Sequence, residues 1–174
     1  MHGLKHCNWW FIFILLISCK PVTIEQHKPE VDKTQEALLR INKFLVRRDE
    51  NLVKSYLERH GWKMTQTQSG LWYMIYKRGK GEKAELGNTV VLKYKVELLD
   101  GTLCYSSDSL GYKHFKIGSN EVEVGLDEAI RLLKKGDAAR LILLPHLAFG
   151  LLGDNNKIPP RSIIIYDVEL MDLN

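Results

Sequence analysis

The spacing of hydrophobic positions changes along the chain, and the changes divide it. The run Trp9-Trp10-Phe11-Ile12-Phe13-Ile14-Leu15-Leu16-Ile17 is apolar throughout. As a helix it would span roughly 13 Å, well short of the ~30 Å hydrocarbon core, so it suits the apolar part of a signal peptide rather than a membrane span. Lys20 to Lys33 holds Pro21, Pro29 and many charges with no apolar period, which predicts an extended tether. Leu38, Ile41 and Leu45 then recur at helical spacing, widened by Leu39 and Phe44. Asp49 reads as a second N-cap before Leu52, Val53, Tyr56 and Leu57, with Gly61 as the stop. The spacing predicts a helical pair within an arm over 34–69. Its apolar stripe would pack as a brace on the following domain or on a second copy.

From Gly70 the period falls to that of strands. Leu71 to Tyr76 is apolar on both faces, so both should be covered. In Thr89 to Leu98 the positions Val90, Leu92, Tyr94, Val96 and Leu98 alternate with more polar ones, which is a half-buried antiparallel strand. Asp100-Gly101 predicts a hairpin turn into Thr102–Tyr105, and His114 to Ile117 is another short strand. Leu126, Ala129, Ile130 and Leu133 fall on one helix face, and Lys134-Lys135-Gly136 stops that helix. Ala138–Leu144 and Ser162–Leu170 read as strands on either side of a long loop. The fold class is therefore α+β: a curved antiparallel β-sheet wrapped around one short α-helix, preceded by a helical N-terminal arm. The domain is predicted over 70–174, with its core at 87–174.

The 45% hydrophobic and 26% charged residues are globular proportions. The net charge of +4 sits in the N-terminal half; residues 87–174 carry ten basic and twelve acidic side chains. A domain near −2 without a basic stripe argues against nucleic acid as a partner. Cys7, Cys19 and Cys104 cannot build a disulfide framework. Without a Cys/His cluster no metal site is predicted, and the chemistry below requires no cofactor.

Leu16-Ile17-Ser18-Cys19 resembles the bacterial lipobox. The resemblance implies that 1–18 is a lipoprotein signal peptide and that Cys19 is lipidated. Residues 19–33 would then be a tether holding the protein to a bacterial membrane in the cell envelope, facing the periplasm. Each buried lipid methylene would contribute about 0.8 kcal/mol to that anchor.

Residues 87–174 resemble an FKBP-type peptidyl-prolyl cis-trans isomerase domain. The resemblance rests on Lys93-Tyr94, the Asp100-Gly101 hairpin with Ser106-Ser107, and Glu121-Val122-Glu123-Val124-Gly125-Leu126. It continues in Pro145-His146-Leu147-Ala148-Phe149-Gly150, Ile158-Pro159-Pro160 and Tyr166-Asp167-Val168-Glu169-Leu170. With Gly70-Leu71-Trp72-Tyr73 and Gly153-Asp154-Asn155-Asn156-Lys157-Ile158, the mature chain is most similar to FKBP-type lipoproteins of Bacteroidetes associated with gliding motility.

That resemblance implies an apolar bowl for a proline ring. Leu126 would form its floor and Tyr94, Tyr166, Val122 and Ile158 its walls, with Phe149 on the flap loop. The Glu123 backbone N–H would hold a substrate carbonyl. Tyr94, Tyr105, Phe149 and Tyr166 would carry catalysis, and Val122, Glu123, Leu126 and Ile158 would bind substrate. His114 and His146 would be bystanders, since rotation about an amide transfers no proton.

The family pattern is not followed everywhere. Cys104-Tyr105 stands where an aromatic and then Asp are usual, Phe149 where Tyr is usual, Leu126 where many relatives carry Trp, and Lys113 where an apolar wall residue is expected. Two functions are therefore predicted. The first is a prolyl isomerase acting on proline-containing segments of exported proteins. The second is a weakly catalytic or non-catalytic peptide-binding or chaperone lipoprotein of an envelope complex that supports gliding.

Overall fold

A computed structural model describes residues 31–174. The predicted signal segment, Cys19 and most of the predicted tether lie outside the described residues. The last tether positions, Val31, Asp32 and Lys33, are not extended; they open helix α1 (Val31–His60). One helix of 30 residues also replaces the predicted helical pair. No Gly or Pro interrupts it, so nothing breaks the hydrogen-bond ladder. Asp49 is not an N-cap: it is 3% exposed, and its carboxylate takes Arg161 Nη2 at 2.8 Å and Arg48 Nη2 at 3.1 Å. Gly61 does end the helix. Its φ of 64° lets the Trp62 N–H reach the Leu57 carbonyl and its own N–H the Glu58 carbonyl, a Schellman closure.

Seven strands form one antiparallel sheet: β1 (Thr65–Gln66), β2 (Trp72–Lys77), β3 (Thr89–Leu98), β4 (Leu103–Ser106), β5 (Lys113–Lys116), β6 (Ala138–Leu143) and β7 (Ile164–Leu173). The order is β1-β2-β6-β7-β3-β4, with β5 also paired to β3. Strand β3 therefore meets β7 along one edge and β5 and β4 in succession along the other. Register shifts at Val91/Leu92 and Val96/Glu97 mark irregularities of the kind that bend a sheet. Helices α2 (Ser107–Leu110) and α3 (Val124–Ile130) lie between strands, and a 3₁₀ turn spans Pro145–Leu147. β1 and α2 carry no periodic signal, being too short for one.

Residues 39–174 form one compact unit, whose sheet is covered along one face and over part of the other. One face holds the main core: Val90, Leu92 and Val96 of β3, Leu141 and Leu143 of β6, Tyr166 and Val168 of β7, and Leu126 and Ile130 of α3. The other face takes α1. Val53, Tyr56 and Leu57 bury against Trp72, Ile142, Leu144, Ile163 and Ile165. This explains the double-sided apolar character of β2, whose Trp72 faces α1 while Leu71, Tyr73 and Ile75 face the main core. Within this unit α1 is a brace on the sheet, and Thr65–Gln66 of the predicted arm is a strand of that sheet. Gly125 lets α3 come close to the sheet, since a Cβ there would sit 2.8 Å from Leu143 Cγ. At least a neighbouring side chain would have to shift.

Candidate active site

The motif residues converge because each is pinned by its own local structure. Ser106 caps α2, its Oγ accepting the Asp108 N–H at 3.0 Å. Ser107 Oγ accepts the N–H of Tyr94 at 3.2 Å, tying the hairpin to β3 beside the Tyr94 ring. Glu123 is the N-cap of α3, and its carbonyl accepts from Leu126 and Asp127. Its own N–H has no acceptor among the described residues. The 3₁₀ turn is followed by a loop in which Gly150 (φ 64°) and Gly153 (φ 72°) reverse direction. A Cβ on Gly153 would meet the Ile158 carbonyl oxygen at 2.2 Å, so only glycine allows the loop to close there.

Together these elements surround an open bowl of about 470 Å³. Tyr94, Val96, Val122 and Tyr166 line its interior with Tyr105, Phe149 and Glu123; Leu110, Lys113, Asn120, Glu121 and Asp154 complete the lining. The Tyr94 and Tyr166 ring centres lie 6.5 Å apart at 49°. Tyr94, Tyr105, Phe149, Tyr166, Val122 and Glu123 are thus brought to one cavity. Phe149 is half-buried and also packs on the main core. Leu126, expected as the floor, and Ile158, expected in the wall, do not line the bowl: at 0% and 2% exposure they are core residues. A leucine at 126 is shorter than an indole and is fully buried in that cluster. His146 and His114 do not line the bowl, and His146 Nε2 lies 3.0 Å from the Ser69 carbonyl oxygen.

The bowl is not the apolar surface implied by the resemblance. Tyr166 donates its hydroxyl to Glu123 Oε1 at 3.0 Å, and Tyr105 donates to Asp154 Oδ2. Asp154 Oδ1 accepts the N–H groups of Asn156 (2.9 Å) and Ile158 (2.8 Å). Lys113 lies with its ammonium 5.3 Å from the centre of the Tyr94 ring, so its stem can cover apolar surface while the charge meets a π face. Asp154 escaped the sequence reading because Asp154-Asn155-Asn156 has the composition of an ordinary turn. It is one, and its carboxylate also reaches the hairpin.

Burial, with the Glu123 charge, pushes the Tyr166 hydroxyl well above its ordinary pKa, and the same causes raise Tyr94. The hydrogen bond to Asp154, then burial, raises Tyr105. All three remain protonated at neutral pH. Burial opposes the Asp154 charge, but the Tyr105 hydroxyl and the Ile158 and Asn156 N–H groups outweigh it and hold the carboxyl below its usual value. Cys104 is buried, which raises its thiol and leaves it neutral. Among the described residues no group of three or more His, Cys, Asp or Glu could hold a metal ion.

A sheet curved over a short helix, with an aromatic bowl at the N-terminal end of that helix, defines the FKBP-like class. Residues 80–171 match the family model for FKBP-type peptidyl-prolyl cis-trans isomerases. The chain belongs to that family. It is 36% identical over 122 residues to the FKBP-type peptidyl-prolyl cis-trans isomerase FkpA of Buchnera aphidicola, covering 70% of this chain and 47% of that one. It is also 36% identical over 108 residues to a probable FKBP-type isomerase of Haemophilus influenzae, covering 62% and 44%. The chain thus spans less than half the length of these curated relatives. Among solved structures, the crystal structure of FkpA from Escherichia coli superposes with a TM-score of 0.64 at 29% identity, over 83% of this chain and 72% of that one.

Proposed function

We propose that this protein is a peptidyl-prolyl cis-trans isomerase that binds a proline ring in the bowl. The observation that carries the reading is the convergence of Tyr94, Tyr166, Val122 and Phe149 on one cavity with Glu123, whose N–H has no acceptor among the described residues. Rotation about an X–Pro amide is slow because the twisted state loses resonance. That state is also less polar than the planar amide, so a partly desolvated aromatic cavity binds it better than the ground state. The Glu123 N–H would hold a carbonyl of the substrate, leaving one side of the amide fixed while the other turns. No proton moves. The test is the rate of cis-trans exchange in a prolyl peptide with and without the protein. Acceleration supports the reading, and exchange at the buffer rate overturns it.

The lipobox-like Leu16–Cys19 supports attachment to a bacterial envelope membrane through Cys19, with the domain facing the periplasm and proline-containing segments of exported proteins as clients. The similarity to gliding-associated lipoproteins rests on the loop and β2 residues named above. Labelled fatty acid should enter the wild type and not Cys19→Ala; equal labelling would remove the anchor. A second reading, a peptide-binding chaperone with little catalysis, is favoured by the polar groups Glu123, Asp154 and Tyr105 in the bowl, which reduce the gain from desolvation. Binding without acceleration would select it.

A further inference from the structure

Glu123 is the unusual residue of the bowl. Its Oε1 accepts from Tyr166, while Oε2 is closed to solvent and has no hydrogen-bond partner among the described residues. A buried carboxylate oxygen without a donor is costly, and the ordinary remedy is a hydrogen bond from a neighbour. Of the other acids of the lining, Asp154 accepts from Tyr105, Asn156 and Ile158, and Glu121, which is exposed to water, accepts the Lys116 N–H at 3.3 Å. The nearby ammonium groups are placed over rings, Lys113 on Tyr94 and Lys157, outside the lining, on Tyr105. Glu123 is therefore the acid of this lining with an oxygen shut off from solvent and left without a donor among the described residues. The terminal torsion of a Glu side chain is broad, so a turn of the Glu123 carboxylate can offer an oxygen to a donor in the bowl.

We propose that Glu123 determines specificity, selecting prolyl segments in which a Lys or Arg lies directly beside the proline and donates to Oε2. The inference rests on the prolyl-binding reading above and names its substrate class. A neutral donor would also fill the vacancy, but a charge-assisted bond is about twice as strong, and acids outnumber bases on the lining.

The test uses two peptide series, Ala-Xaa-Pro-Phe and Ala-Ala-Pro-Xaa, with Xaa as Lys, norleucine or Glu. Affinity is measured by calorimetry and exchange by NMR. In at least one series Lys should bind about tenfold more tightly than norleucine, and Glu more weakly than either. Glu123→Gln, which keeps an acceptor for Tyr166, should bring Lys and norleucine within about twofold. Equal affinity for Lys and norleucine in both series overturns the proposal. So does a Lys preference that survives Glu123→Gln or is abolished by Glu121→Gln instead. Should Glu123→Gln fail to fold, Tyr166→Phe serves: it frees Oε1 as well and should widen the Lys preference, and a narrowed preference overturns the assignment. If no peptide is accelerated yet Lys still binds preferentially, the isomerase reading fails and this one stands.

Discussion

Tyr105 and Asp154, 49 positions apart in sequence, share a hydrogen bond across the rim of the bowl. The carboxylate that the family pattern places on the hairpin is here supplied from the flap loop, with a tyrosine hydroxyl reaching it. From sequence, Tyr105→Asp reads as a restoration; in the folded protein it sets a second acid against Asp154.

Tyr105→Asp should therefore lower stability, by about 1 kcal/mol for two acids at a partly exposed site, and should lower kcat/KM. Tyr105→Phe removes only the donor and should cost about 0.5–1.5 kcal/mol, with kcat/KM falling less than tenfold. Urea unfolding and peptide kinetics on both variants check this. A gain in kcat/KM for Tyr105→Asp would mean that the two side chains do not meet.

The Asp154 carboxyl is held below its ordinary value in the folded state, so its stabilising contribution is complete above the unfolded value of 3.8. It is lost as pH falls through the lower, folded pKa. Stability of the wild type should drop across that acidic window, and Asp154→Asn should flatten the drop while leaving a lower plateau at pH 7. Parallel acid limbs in the two proteins would contradict this assignment.

Much of the sheet was legible from residues alone. β3 spans the predicted Thr89–Leu98, because alternation there reports a strand with one covered face. The continuity of α1 was not legible, because an Asp before an apolar run looks like a cap whether its carboxylate turns back to the backbone or, as Asp49 does, out to Arg161. The site was legible to the extent that β-strands and motif turns fix it: Tyr94, Tyr166, Val122 and Glu123 meet at the cavity. Depth was not. Whether Leu126 is floor or core depends on the side chains packed above it, which no linear pattern records.

Tyr166 is 1% exposed, belongs to the main core and donates its hydroxyl to Glu123. Tyr166→Phe should cost about 1–3 kcal/mol by leaving the Glu123 carboxylate without a donor, and Tyr166→Ala about 3–5 kcal/mol by opening a cavity. Phe149→Ala, at a half-buried loop position, should cost less than Tyr166→Ala while weakening peptide binding. Equal destabilisation by the two alanine variants would make Phe149 a core residue.

Asp49 and Arg161 join the helix to the segment after the flap loop, with side-chain exposures of 4% and 27%. Asp49→Ala removes the partner of a largely buried guanidinium, so a cost near 3 kcal/mol is expected by chemical unfolding. Proteolysis should then cut within α1 before the domain. A variant as stable as the wild type would show that the brace is held by Val53, Tyr56 and Leu57 without the ion pair.

The most direct measurement is the cis-trans exchange rate of a prolyl peptide at catalytic protein concentration, followed by NMR between pH 6 and 8. Uncatalysed exchange takes tens to hundreds of seconds. The wild type should shorten it at every pH in that range with little slope, since no histidine lines the bowl and Tyr94, Tyr105 and Tyr166 stay protonated. Phe149→Ala should return the rate toward that of buffer. A wild type that binds the peptide yet leaves exchange at the buffer rate, or a rate that follows a histidine-like titration, would contradict rotation in the bowl.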